Sequence, residues 1–164
     1  MRKPPRPRGE RLLHWPLLVR AYLWLGVLEA AVAMSVFFYV LHGAGWHYGE
    51  PFAKTDALYL QATTACLAAI VVAQVFNLFL CRHAQRSLLH TGARGNPLLL
   101  WGIAAELGII ALIVYTPLGN SLFGTAPLAG EVWLFALALA AAMGLLEEAR
   151  KWLVRRGVAQ PHRD

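Results

Sequence analysis

Charge is nearly missing from four long stretches of this 164-residue chain. They cover residues 17–41, 57–80, 98–115 and 132–152, and each is near or above the ~20 residues a helix needs to cross a bilayer core. Amphipathic spacing is missing as well. A soluble helix carries a polar face at 3.6-residue intervals, whereas the inner part of the second stretch reads LAAIVVAQVFNLFL, with only Gln74 and Asn77 polar. Cysteine is scarce: Cys66 and Cys81 lie within or at the end of the second stretch, without metal-ligand spacing. They read as small packing residues, and the reach of a disulfide disfavours a bridge between such distant positions on one helix. No histidine has metal-site spacing inside a stretch, and His83 and His90 read as loop residues. A glycine-rich phosphate loop, paired aqueous carboxylates and a Ser/His/Asp arrangement outside the stretches are all absent. No polar segment is long enough to build a nucleotide-binding core. The first stretch is too long for a cleaved signal peptide and lacks a small-residue cleavage site.

What remains is apolar. Hydrophobic residues make up 58% of the chain and the mean hydropathy is +0.49, beyond the range of an ordinary soluble domain. The fold class expected is all-α: a polytopic membrane protein with a bundle of four transmembrane helices. Its net charge of +6 is unevenly placed. Arg2, Lys3, Arg6, Arg8, Arg11 and Arg20 lie before or at the start of the first stretch. Arg82, Arg86 and Arg94 lie between the second and third, and Arg150, Lys151, Arg155, Arg156 and Arg163 lie at the end. Only Lys54 falls in either remaining loop. The positive-inside rule then predicts a multi-pass cell-membrane protein with both termini cytoplasmic. The division expected is a basic, proline-rich arm over 1–16, a membrane domain over 17–153 and a cytoplasmic tail over 154–164. HGAGWHYGEP (42–51) and TPLGNSLFGTAPLAG (116–130) read as external loops punctuated by glycine and proline.

Ionisable groups in hydrocarbon cost ~2.5–3.5 kcal/mol or more, so they normally face a bundle interior or a cavity. At ~1.5 Å per residue, Glu29 lies roughly 18 Å into the first stretch, near mid-bilayer. Gln74 lies roughly 9 Å, and Glu106 roughly 12 Å, from the inner ends of their stretches. Gln74 and Asn77 are spaced i, i+3 and share a helix face, so Gln74 can meet Glu106 at similar depth. Oxygen ligands of this kind suit hard cations or protons. The same residues also fit a plain structural part, the amides as interhelical hydrogen-bond glue and Glu29 as a hydrogen-bonded carboxyl. Glu147 and Glu148, beside Arg150 and Lys151, read as a charge-anchored helix end.

Taken in order, these residues resemble the C-terminal membrane region, transmembrane helices seven to ten, of a cation-transporting P-type ATPase of the calcium or sodium/potassium pump kind. MRKPPRPRGE is similar to the family's M-x-[RK]-P-P-R segment after the sixth helix, and ATTACLAAIVVAQVFNLFLCR to its eighth helix. Arg86, Ser87, Gly92 or Gly95 and Asn96 match an R-S-x5-G-x2-N loop, and Tyr115 and Pro117 the Y-x-P end of the ninth helix. Pro127, Leu128 and Trp133 match a following P-L and Trp, and Glu148 and Lys151 a closing E-x-x-K.

The resemblance implies auxiliary cation ligands at Gln74, Asn77 and Glu106. Gln74 falls where calcium pumps place a Glu ligand and sodium/potassium pumps a Gln. Asn77 falls where the latter have Asp, and Glu106 matches a ninth-helix Glu linked to the third sodium site. Glu29 stays an intramembrane carboxyl of open role. No catalytic or cofactor-binding residue is implied. ATP and Mg belong to the resembled full-length pump, whose D-K-T-G-T loop, nucleotide and actuator domains and helices one to six these residues do not include. The implied partners are the bilayer, the remainder of the pump and an inorganic cation, with no nucleic acid. Without those domains the chain is expected to be no enzyme by itself, and Met1 aligns with an internal methionine of the family, which fits a fragment, a truncated gene model or an excised domain. The alternatives are a stand-alone four-helix proton-coupled carrier using Glu29, and a non-catalytic membrane partner of a pump. The motif order favours the pump domain.

Overall fold

Hydrocarbon offers no water to backbone amides, so an apolar stretch that enters a bilayer must close its own hydrogen bonds as a helix. The computed structural model of the chain describes residues 15–51, 53, 56–81 and 97–158 and is all-helical there, with no strand among the described residues. The first helical run is made of α1 (Trp15–Leu18), a π-helical segment (Val19–Leu25) and α2 (Gly26–Gly43). It is continuous, because Leu18 and Leu25 keep right-handed helical angles at both joins. Then follow α3 (Ala57–Cys81), α4 (Pro97–Tyr115), the short α5 (Pro117–Phe123) and α6 (Gly130–Val158). Four of the helices are long and apolar enough to cross a membrane. The basic arm over 1–14, the loop motif from Arg86 to Asn96 and the tail over 159–164 lie outside the described residues.

α3 is apolar nearly all round, and there side-chain size sorts the faces. On α3 the buried stripe is Ala62, Ala65, Ala69 and Ala73; on α6 it is Val132, Ala136, Ala140 and Met143. Small residues let helix backbones approach closely, the main source of packing energy in lipid. Both α2 and α6 use this surface: Val32 and Val36 of α2 join the same core. The rings of Tyr39 on α2 and Phe135 on α6 stack at 4.3 Å. α4 is peripheral, with only 11% of its apolar window buried against 39% for α3. Cys66 on α3 is a free, half-buried thiol.

The 116–130 segment, expected as a loop, contains a helix. Thr116 caps α5 by accepting from Gly119 N at 3.0 Å, Pro117 starts it, and Gly124, at φ 62°, ends it in the left-handed conformation. These are the standard signals for both ends of a helix. Behind it, Thr125 Oγ1 donates to Ile113 O at 2.7 Å. Oriented nitrogen-inward, the Asn120 amide donates to Val114 O at 2.9 Å and Ile113 O at 3.1 Å. The next residues are pinned to α3 and α4: Ala126 N donates to Thr64 Oγ1 (2.9 Å), Gln61 Nε2 to Pro127 O (3.3 Å) and the Tyr115 hydroxyl to Leu128 O (2.9 Å). Trp133 Nε1 donates to that hydroxyl at 2.7 Å.

The opposite, basic end is fastened by charge. Glu147 and Lys151 are buried, at 0% and 1% exposure. Arg150 grips Glu147 through two bonds of 2.7 and 2.8 Å, and Trp24 Nε1 donates to the same carboxylate at 2.9 Å. Lys151 Nζ donates to Leu80 O at 3.1 Å and to Glu148 at 3.2 Å. It thereby satisfies a carbonyl of the last turn of α3, where helices leave acceptors unpaired. The charge-anchored end expected for Glu147 and Glu148 is therefore an internal joint between helices. Outside it, the Arg156 guanidinium lies 3.7 Å over the Trp152 ring.

Two stability predictions follow from these joints. A Cβ on Gly119 would meet Leu112 O at 2.5 Å and Ile113 O at 2.6 Å, both backbone atoms. Gly119→Ala must therefore push α5 off α4, at a cost of about 1–3 kcal/mol; thermal unfolding in detergent reads it, and parental stability would show that α5 is not held there. Lys151→Met strips the cap from Leu80 O and should cost about 1–3 kcal/mol, whereas the exposed Arg156→Met should cost less than ~1 kcal/mol. Equal losses in the two variants would refute the joint.

Candidate functional site

The π-helical segment and α2 set the azimuth of Glu29, and α3 sets that of Gln74 and Asn77. Asn77 Nδ2 donates to Glu29 Oε2 at 2.9 Å, joining α2 to α3 inside the membrane. Both side chains are half-buried. The other amide atom, Asn77 Oδ1, is buried without a partner. Among the described residues no Lys, Arg or His pairs with Glu29; Arg150 and Lys151 are committed to Glu147 and Glu148.

Gln74 and Asn77 diverge. Residues three apart on a helix point about 60° away from each other. α2 takes Asn77, while Gln74 stays on an exposed stripe with Leu67 and Leu78. Gln74 has no hydrogen-bond partner among the described residues, and it forms no bond with Glu106. Glu106 is half-buried on α4. It occupies the same stripe as Ile110 and Val114, which are 4% and 0% exposed and form the inward face of α4. The structure therefore joins Glu29 to Asn77 and, among the described residues, leaves Gln74 on α3 and Glu106 on α4 without a bond.

These oxygens could serve a cation in part. Hard cations take six or more oxygen ligands, and among the described residues no three His, Cys, Asp or Glu side chains converge. An ion held here needs further oxygens from water or from other protein. Trp24 and the burial of Glu147 and Lys151 are not among the features expected from the sequence. The signal for the last two was present: 136, 140, 143, 147 and 151 keep the helical interval, so both charges continue the buried stripe of α6. Nothing in the sequence announced the π-helical turn that accompanies Trp24.

Comparison with known proteins agrees with this architecture. The family described as "Cation transporting ATPase, C-terminus" matches residues 1–153. "Probable cation-transporting ATPase F" of Mycobacterium tuberculosis is 34% identical over 163 residues, which are 98% of this chain and 16% of that protein. "Sodium/potassium-transporting ATPase subunit alpha-1" of Anguilla anguilla is 24% identical over 94% of this chain and 17% of its own length. "Potassium-transporting ATPase alpha chain 2" of Homo sapiens is 27% identical, with the same two shares of 94% and 17%. The chain thus spans about a sixth of the length of these relatives. It belongs to the cation-transporting P-type ATPase family, whose C-terminal membrane region it matches along nearly its whole length.

Proposed function

We propose that this chain works as the C-terminal membrane domain of an ATP-driven cation pump, holding the transport helices in place and lending them auxiliary ligands. Gln74 is the observation that carries this reading. A polar side chain on an exposed stripe inside a membrane span is costly against lipid, and it is well placed when another helix covers it. Glu106, partly open on the neighbouring α4, fits the same cover. Gln74 and Glu106 would each add one oxygen to a cation whose main ligands belong to that covering protein, whereas Asn77, turned to α2 by its bond to Glu29, would lie outside that shell. Phosphorylation and ATP hydrolysis, with the Mg they use, would belong to parts of the pump outside this chain. The basic end would face the cytoplasm, since arginine and lysine cluster there.

In the complete pump, Glu106→Ala should weaken activation of ATP hydrolysis by the transported cation roughly tenfold, the equivalent of ~1.4 kcal/mol. An unchanged cation dependence would remove Glu106 from the ligand set. Orientation is tested with single cysteines in a background lacking Cys66 and Cys81. Tyr48→Cys and Leu122→Cys should react with a membrane-impermeant maleimide on intact cells, and Arg156→Cys only after permeabilisation. The reverse pattern would overturn the topology.

A further inference from the structure

Two unmet demands lie side by side between α2 and α3. Glu29 is an intramembrane carboxylate with no basic partner among the described residues, and its one bond there is the 2.9 Å contact from Asn77 Nδ2. Asn77 Oδ1 is a shielded acceptor with no donor. An amide oxygen takes two donors or a cation, and an ionised carboxylate has about four acceptor sites. A second hydrogen-bond donor would answer the orphan oxygen alone. A cation held between Glu29 and Oδ1 answers both, because it also neutralises the carboxylate.

We propose that Glu29 and Asn77 form a monovalent-cation site between α2 and α3, with Glu29 as the charged ligand. The charge sets the class of ion: one carboxylate and one neutral amide sum to −1, which a single monovalent ion balances and a divalent ion exceeds. The site is separate from Gln74, which lies on the exposed stripe with Leu67 and Leu78. Glu147 of α6 does not compete for the ion, because it is held by Arg150 and Trp24. Asn77 has a double part, its nitrogen fixing the Glu29 carboxyl and its oxygen facing the ion. Water completes the coordination shell, since the pair supplies too few of the oxygens a hard cation takes. The site is built within this chain, apart from the ligands proposed above, and does not require the pump reading to hold.

The test uses the purified chain in lipid nanodiscs, with sodium or potassium chloride as the probe. N-methylglucamine chloride at equal ionic strength controls for screening. Binding to the folded state raises the unfolding temperature as ligand concentration rises. The expected result is a melting temperature that climbs with sodium or potassium and not with N-methylglucamine. The climb should be lost in Glu29→Gln and Asn77→Leu and kept in Glu106→Ala. Glu29→Gln keeps an oxygen for Asn77 Nδ2, so its melting temperature without alkali cation should stay near the parent's. No alkali-specific climb in the parent would overturn the site, as would a climb that survives Glu29→Gln. A climb lost only in Glu106→Ala would move the ion to the face described under the pump reading. Stabilisation by acidification alone would make Glu29 a proton carrier and refute the cation.

Discussion

Everything in this bundle depends on how close α3 lets its neighbours come. In lipid there is little hydrophobic gain from pressing one apolar helix on another, so packing and interhelical hydrogen bonds must suffice. Ala62, Ala65, Ala69 and Ala73 present almost no side chain along the contact face of α3. That proximity makes the crossing bonds possible. Lys151 reaches a backbone carbonyl of α3, Thr64 accepts from the amide of Ala126, and Asn77 touches Glu29. Each joins one side chain directly to a group on another element. Bulkier residues on the stripe would separate the backbones and break these bonds together.

The polar groups of the membrane domain fall into two sets. Thr64, Tyr115, Asn120 and Thr125 are spent on fastening the turn-rich end, and Glu147, Arg150 and Lys151 on fastening the basic end. Their partners are found within the chain. Gln74 and Glu106 are not so spent, and Asn77 is only half so. A membrane domain whose own joints are satisfied while a few oxygens stay open is suited to meeting other protein across those oxygens. The relatives are about six times as long as this chain.

The four membrane helices were legible from the length and apolarity of their stretches, and the motif order led to the family. The physical sense of some motifs came only with the structure. Tyr115, Leu128 and Trp133 read as separate marks in the sequence, yet one hydroxyl links all three. Glu148 and Lys151 are likewise an ion pair. The helix α5 was hidden because its residues look like a loop, although Thr116, Pro117 and Gly124 were its boundary signals. The buried state of Glu147 was hidden because charge next to charge at a helix end usually means solvent. The split between Gln74 and Asn77 was beyond reach for a different reason: spacing on one helix gives relative azimuth, and only the position of α2 decides which of the two it takes.

The fastening of α3 to α6 has a mechanical meaning. One tie sits near each end of the pair. Thr64 and Gln61 hold the segment that leads into α6, and Lys151 holds the final turn of α3. Two helices tied at a single level can slide past one another, but a pair tied at both levels cannot shift by a turn without breaking both ties. Sliding is one of the two common modes of motion between packed elements, and here it would cost the ties at both levels. Tilting or turning of the two spans as one body keeps them.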